Sequence, residues 1–201
     1  MTLDRLRPLA ERAVDPFVAA ATRVGLGPNG VSLLAVAVAG AAGASYFLAA
    51  REPLLYVLGA LLVFLNGWLD VLDGALAREL AAESPAGDLL DHALDRYADI
   101  LIIVGLAGGI ERYGLGVAAV TGVLMTSYLG TQAQAVGLDR AYGGVMGRAD
   151  RLALVGVVTA LAPVVGSTGG LSAVGWLLVV LAAVGHLTAL QRFYHSMRGL
   201  S

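Results

Sequence analysis

Apolar residues fill long stretches of this chain, and polar residues are gathered into short breaks between them. After Gly27-Pro28-Asn29, residues from about 31 to 50 are apolar and are closed by Arg51-Glu52-Pro53, the kinds of signal that start and stop a helix. A second run begins near Leu54 and continues through Asp70 and Asp73 to about Leu80, where Glu83-Ser84-Pro85 predicts a turn. Further runs are predicted over about 87–109, 115–136, 152–165 and 171–190. A Gly-rich connection holding Asp139, Arg140, Gly143, Gly144, Gly147 and Arg148 separates the fourth run from the fifth, and 166–170 forms the last turn. The runs are near the roughly 20 residues that a helix needs to cross a bilayer. They predict six spans, with Arg192, His195 and Arg198 left on a short tail. Within residues 1–23, Leu3, Leu6, Leu9, Ala13, Phe17 and Ala21 recur at helical spacing among charged positions. This predicts an amphipathic helix that either lies in the membrane interface or packs on the bundle. The expected fold is therefore an all-α integral membrane domain over 1–201. It has a juxtamembrane helix over 1–23 and six transmembrane helices over 28–196.

Composition agrees with the pattern, since 58% of residues are hydrophobic and the mean hydropathy is +0.78, against roughly 45–50% apolar residues in an average soluble domain. The absence of Cys excludes disulfides, thiolate metal sites and thiol nucleophiles. All 13 cationic side chains are Arg and the net charge is -2, which argues against a nucleic-acid partner. The N-terminus lacks the short apolar core and cleavage pattern of a secretory signal. On the six-span reading, ten Arg fall on one side and only Arg51 and Arg112 on the other, with Arg96 inside a span. Because cytoplasmic loops retain positive charge, both termini and the acid-rich ends of the second and third spans are predicted to face the cytoplasm.

Ionisable groups within membrane spans are costly and usually face a cavity. Asp70 and Asp73, three apart, share a helix face with Asn66, Gly74 and Ala77, while Asp91 and Asp95, four apart, lie on the following antiparallel helix. Four acids so placed converge and repel one another. Divalent cations relieve that repulsion, and oxygen-only ligands suit Mg²⁺ or Mn²⁺. Two ions in a phosphoryl-transfer site are the natural inference. Gly74 and Gly87 leave backbone open for close approach by a nucleotide or pyrophosphate, and Arg78 offers a phosphate-matching guanidinium. Taken alone, Asp70 and Asp73 suit an ion relay in a transporter, or carboxylates paired with Arg, equally well.

The extended spacing decides between these readings. From Asp70 the chain runs two residues to Asp73 and Gly74, two more to Ala77 and Arg78, eight to Gly87, three to Asp91 and three to Asp95. This resembles the signature of the CDP-alcohol phosphotransferase family at every fixed position, and eight such matches arise by chance on the order of 10⁻⁹ times per start point. The resemblance implies a six-helix membrane enzyme, usually a homodimer, which joins a CDP-activated lipid to a small polar alcohol and releases CMP. It further implies that Asp70, Asp73 and Asp91 hold metal, with Asp95 sharing the second ion and acting as base toward the acceptor hydroxyl. Gly74, Ala77, Arg78 and Gly87 would line the CDP pocket. Pro28-Asn29 followed by Ser32 resembles the family's first-helix start, which would let Ser32 help hold the nucleotide, and Ser84 would touch phosphate.

The second half, from Ser127-Tyr128 through Arg148-Ala149-Asp150-Arg151, resembles phosphatidylinositol phosphate synthases and their archaeal counterparts, the archaetidylinositol phosphate synthases. By that resemblance Arg148 and Arg151 would hold an acceptor phosphate; topology-setting charge or pairing with Asp150 accounts for them equally well. Those synthases carry a Lys and an Arg shortly after the Ser-Tyr pair, whereas this chain has Gly130 and Gln132. The departure removes two phosphate-binding cations and counts against inositol phosphate, which leaves glycerol phosphate, serine and a free polyol open beside it as acceptors. Asp99 is expected to pair with Arg96, and His92, His186 and His195 to serve packing or hydrogen bonding. A cation-coupled transporter and an inactive family scaffold are the competing classes. Nothing in transport requires Ala77-Arg78 or Gly87 at these spacings, and the intact set of eight signature positions argues against an inactive scaffold.

Overall fold

The computed structural model describes residues 7–139, 141 and 143–200, with side chains from residue 13 onward. Leu3, Arg5, Leu6 and Arg140 lie outside the described residues. Every regular element among the described residues is a helix: α1 (Arg7–Arg23), α2 (Pro28–Leu48), α3 (Leu54–Glu79), α4 (Pro85–Gly109), α5 (Tyr113–Ala135), α6 (Arg148–Leu161) and α7 (Ala173–Leu200). Local chemistry explains the starts. Pro28 and Pro85 sit in the first turns of α2 and α4, where a missing N–H costs nothing. Ser84 caps α4 by accepting the Gly87 N–H at 3.1 Å, and Asp150 accepts the Gly147 N–H at 3.1 Å at the head of α6.

Four helices, α2, α3, α5 and α7, are long and apolar enough to cross a membrane by length and composition. The α4 helix has the length, but Asp88, Asp91, Asp95, Arg96 and Asp99 interrupt its apolar character. At 14 residues, α6 spans only about 21 Å. The last helix corrects the expected tail, because α7 continues without a break to Leu200 and carries Arg192, His195 and Arg198 as helical residues. Hydropathy falls after Leu190, yet nothing before Gly199 opposes a helix.

Close helix crossings hold the bundle together. A Cβ on Gly105 of α4 would come within 2.5 Å of the Gly43 Cα of α2. Likewise, a Cβ on Gly185 of α7 would lie 2.8 Å from the Gly122 carbonyl carbon of α5, where the Thr126 hydroxyl donates to the Gly185 carbonyl at 2.8 Å. Small residues at crossings are how helices pack tightly when lipid supplies no hydrophobic drive. The main core gathers Tyr46, Val63, Ile102, Leu106, Val155 and Leu178, while large apolar side chains such as Leu34, Leu61, Val104, Val117 and Val164 remain exposed on the outside. An apolar exterior around a packed core marks a membrane protein. Val14, Val18 and Ala21 of α1 pack with Leu69, Leu72 and Leu76 of α3, and Phe17 meets Trp68 edge to face at 5.6 Å. The first helix thus packs on the bundle.

Candidate active site

The starts of α2, α4 and α6 meet the C-terminal part of α3 around two hollows. Asp70 is ten residues from Leu80, and Asp95 is ten from Pro85, which places these acids about 15 Å in from the helix ends. Asp70, Asp91 and Asp95 offer carboxylate oxygens that all lie within 4.8 Å of one another. Asp73, buried on the same face of α3, accepts a hydrogen bond from the Ser32 hydroxyl of α2 at 2.8 Å. Together the four aspartates line one small recess with Asn66 and Arg148.

A second cavity, of about 260 Å³, opens beside Asp73 and Asp91. Ser32, Gly74, Ala77, Arg78, Ser84 and Gly87, the residues named for the CDP pocket, all line it. The glycines keep it open in different ways. A Cβ on Gly74 would meet only the Arg78 guanidinium, at 3.6 Å, so the wall there is open backbone flanked by a cation. On Gly87 it would press against the Ser84 Oγ at 3.2 Å, because that N–H and oxygen form the helix cap. Ser84 is therefore a capping residue that also faces the cavity.

The structure separates the two arginines proposed for the acceptor. Arg148 reaches across the recess, placing Nη1 at 2.6 Å from Asp70 and Nη2 at 2.7 Å from Asp95. Arg151 is buried and donates to Asp99 at 2.6 Å. Asp99 is thus bound chiefly by Arg151, with Arg96 farther away at 3.7 Å. Arg96 also lies 3.4 Å from the other oxygen of Asp95. Acids and guanidiniums alternate from α3 through α6 to α4, and this alternation lets so many charges share one interior.

Arg192 is a residue of interest that sequence reasoning left on the tail. Its Nη1 donates to the Thr126 carbonyl at 2.8 Å and its Nε to the Gly143 carbonyl at 2.9 Å. It occupies the space left by Gly130, where a Cβ would come within 2.6 Å of Nη1. The Gly at 130 was a visible signal, but only the packing of α5 on α7 links it to a cation 62 positions away. Beside Arg192 lies a broad cavity of about 620 Å³, lined among the described residues by Ala141, Gly143, Gly144, Val145, Gln191 and His195.

The acidic set fits Mg²⁺ or Mn²⁺. Its ligands are carboxylate oxygens only, and three of them already lie close enough together to share an ion. Chemically, the arrangement sets a cluster of acids beside a cavity with an arginine at its edge, as pyrophosphate chemistry requires.

Comparison with known proteins gives the same picture. Residues 26–188 match the family described as CDP-alcohol phosphatidyltransferase. Archaetidylinositol phosphate synthase of Methanothermobacter thermautotrophicus is 34% identical over 198 residues, covering 96% of this chain and 93% of that protein. The crystal structure of Mycobacterium tuberculosis phosphatidylinositol phosphate synthase with CDP-DAG bound matches with a TM-score of 0.76 at 27% identity, covering 92% of this chain and 94% of that one. The same enzyme in complex with manganese and citrate matches at 0.77 and 26% identity, covering 90% and 88%.

Proposed function

The chain belongs to the CDP-alcohol phosphatidyltransferase family, and we propose that it transfers the phosphatidyl or archaetidyl group of a CDP-lipid to inositol phosphate with release of CMP. The observation that carries this reading is the convergence of all four signature aspartates and all six CDP-pocket residues around two adjoining hollows. At about 260 Å³, the larger of these falls just under the usual range of roughly 300–1,000 Å³ for a ligand pocket. It suits the polar head of a CDP-lipid whose tails stay in the bilayer.

Asp70, Asp73, Asp91 and Asp95 would hold two divalent ions, Mg²⁺ or Mn²⁺. When bound, such ions supply charge neutralisation to the pyrophosphate and the departing CMP. The chain's own residues do the rest. Gly74 and Ala77 let the nucleotide approach the α3 backbone, Arg78 and the α4 start face the phosphates, and Ser32 fixes the Asp73 carboxylate. Asp95 takes the proton of the acceptor hydroxyl as its oxygen attacks the lipid-side phosphorus. The phosphorus–oxygen bond to CMP breaks and CMP leaves with the electron pair. No covalent intermediate with the chain is required.

Two supports favour inositol phosphate over glycerol phosphate, serine or a free polyol. Relatives of similar length are named as synthases of inositol phosphate lipids. Arg148 begins α6, and Arg192, in the space left by Gly130, binds the Gly143 carbonyl of the connection that leads into it. In the membrane we assign α2 to α7 as six crossings of one domain, with Asp95 and Asp99 of α4 and Arg148 and Arg151 of α6 turned toward the bundle interior. Both termini and the active site are assigned to the cytoplasmic side, with the first helix packed against α3. The working unit is a homodimer.

Release of CMP by the purified protein in lipid tests the reading, with Mg²⁺ and either CDP-diacylglycerol or CDP-archaeol as donor. Inositol phosphate, glycerol phosphate, serine and inositol are supplied separately. Metal-dependent release driven by inositol phosphate is expected. Release driven by another acceptor would reassign the alcohol, and none with any pair, from folded protein, would overturn the enzyme reading.

A further inference from the structure

Arg148 occupies an unusual position for a residue expected at an acceptor phosphate. One guanidinium joins Asp70 of α3 to Asp95 of α4, two of the three acids whose oxygens cluster within 4.8 Å. Both oxygens of Asp95 are engaged by cations, Oδ1 by Arg148 at 2.7 Å and Oδ2 by Arg96 at 3.4 Å. A divalent ion drawn to the space between Asp70 and Asp95 would compete with the Arg148 guanidinium that lies there, because like charges so close repel and both seek the same two carboxylates.

The two arginines are not equally held. Arg96 has a second acid, Asp99, at 3.7 Å, and Asp99 is in turn tied to Arg151. Apart from Asp70 and Asp95, the nearest acceptor to Arg148 is the Asn66 Oδ1 at a marginal 3.5 Å, and its buried Nε has no hydrogen-bond partner. Arg148 is also the first residue of α6, following Gly147 and a connection in which Gly144 has φ +129°. The backbone there is glycine-rich and able to adjust. Arg151, one turn farther in, is fixed by its own acid.

We propose that Arg148 is an internal counter-ion that holds Asp70 and Asp95 until a divalent metal displaces it, which frees its guanidinium for an anionic ligand. The proposal rests on the metal-site reading above. In the metal-free protein the cation screens acids that would otherwise repel across α3 and α4. Metal loading then removes the need for that screen and delivers a phosphate-matching side chain beside the site. Metal and anion binding are thereby linked in the same direction.

The test is Mn²⁺ affinity, read by loss of the free-ion electron paramagnetic resonance signal, for wild type, Arg148→Gln and Asp91→Asn in detergent. Arg148→Gln removes the competitor and leaves the acids, so it should bind Mn²⁺ roughly tenfold or more tightly than wild type. Unchanged or weaker binding by the folded variant would overturn the proposal. Asp91→Asn serves the underlying reading and should bind more weakly than wild type. A wild type that binds no Mn²⁺ would sink the metal site itself and this inference with it. Should Arg148→Gln not fold, arginine-specific dicarbonyl labelling of wild type, mapped by mass spectrometry, decides the matter. Labelling of Arg148 should rise several-fold on adding Mn²⁺ while Arg151 stays protected, and an unchanged Arg148 would count against displacement.

Discussion

The Arg151 guanidinium donates to the Asp99 carboxylate at 2.6 Å, tying α6 to α4 between two side chains only 5% and 2% exposed. A pair this deep is vulnerable from one side, since removing either partner leaves an uncompensated charge at a cost of about 3–5 kcal/mol. Asp99→Leu and Arg151→Leu are each expected to lower the thermal midpoint in detergent strongly. The double variant should recover much of the loss, which a double-mutant cycle would read directly. Singles as stable as wild type would deny the pair a structural role.

Asp95→Asn should keep the fold, because Arg148 and Arg96 still find an oxygen acceptor at that position. Turnover should fall by about 10²–10⁴ if its carboxylate takes the hydroxyl proton. CMP release at saturating acceptor, together with an unchanged melting profile, makes the comparison.

Two glycines predict opposite outcomes for the same change. Gly74→Ala meets only Arg78 at 3.6 Å, so stability should hold or rise by up to about 1 kcal/mol. KM for the CDP-lipid should rise roughly tenfold as the methyl enters the cavity. Gly105→Ala would drive its methyl into the Gly43 backbone and should cost at least about 1–3 kcal/mol, because backbone cannot step aside. Chemical or thermal unfolding measures the second, and steady-state kinetics the first.

Arg192 anchors the connection between α5 and α6 through the Gly143 carbonyl and α5 itself through Thr126. Arg192→Ala is expected to expose the backbone around Gly143 to limited proteolysis and to raise KM for a phosphorylated acceptor more than for the CDP-lipid. Equal effects on both substrates would leave Arg192 a purely structural brace.

Much of this protein is legible in the sequence. Apolar runs, with Gly-Pro and Ser-Pro punctuation, set α2 to α6 to within a few residues, because helix length in a bilayer and helix capping are local properties. The spacing of Asp70, Asp73, Asp91 and Asp95 announces a shared face for the same reason, since 3.6-residue periodicity needs no knowledge of the fold. The end of α7 escaped that reading, because hydropathy marks where apolar character stops and not where a helix does. Tertiary structure alone decided the partners of the arginines. Arg148 on Asp70 and Asp95, Arg151 on Asp99, and Arg192 over Gly130 are contacts between helices far apart in sequence. Glycine crossings such as Gly43 with Gly105 set how closely those helices approach. At such separations a charge pairs with whatever packing brings within about 3 Å, and packing is fixed by the whole bundle.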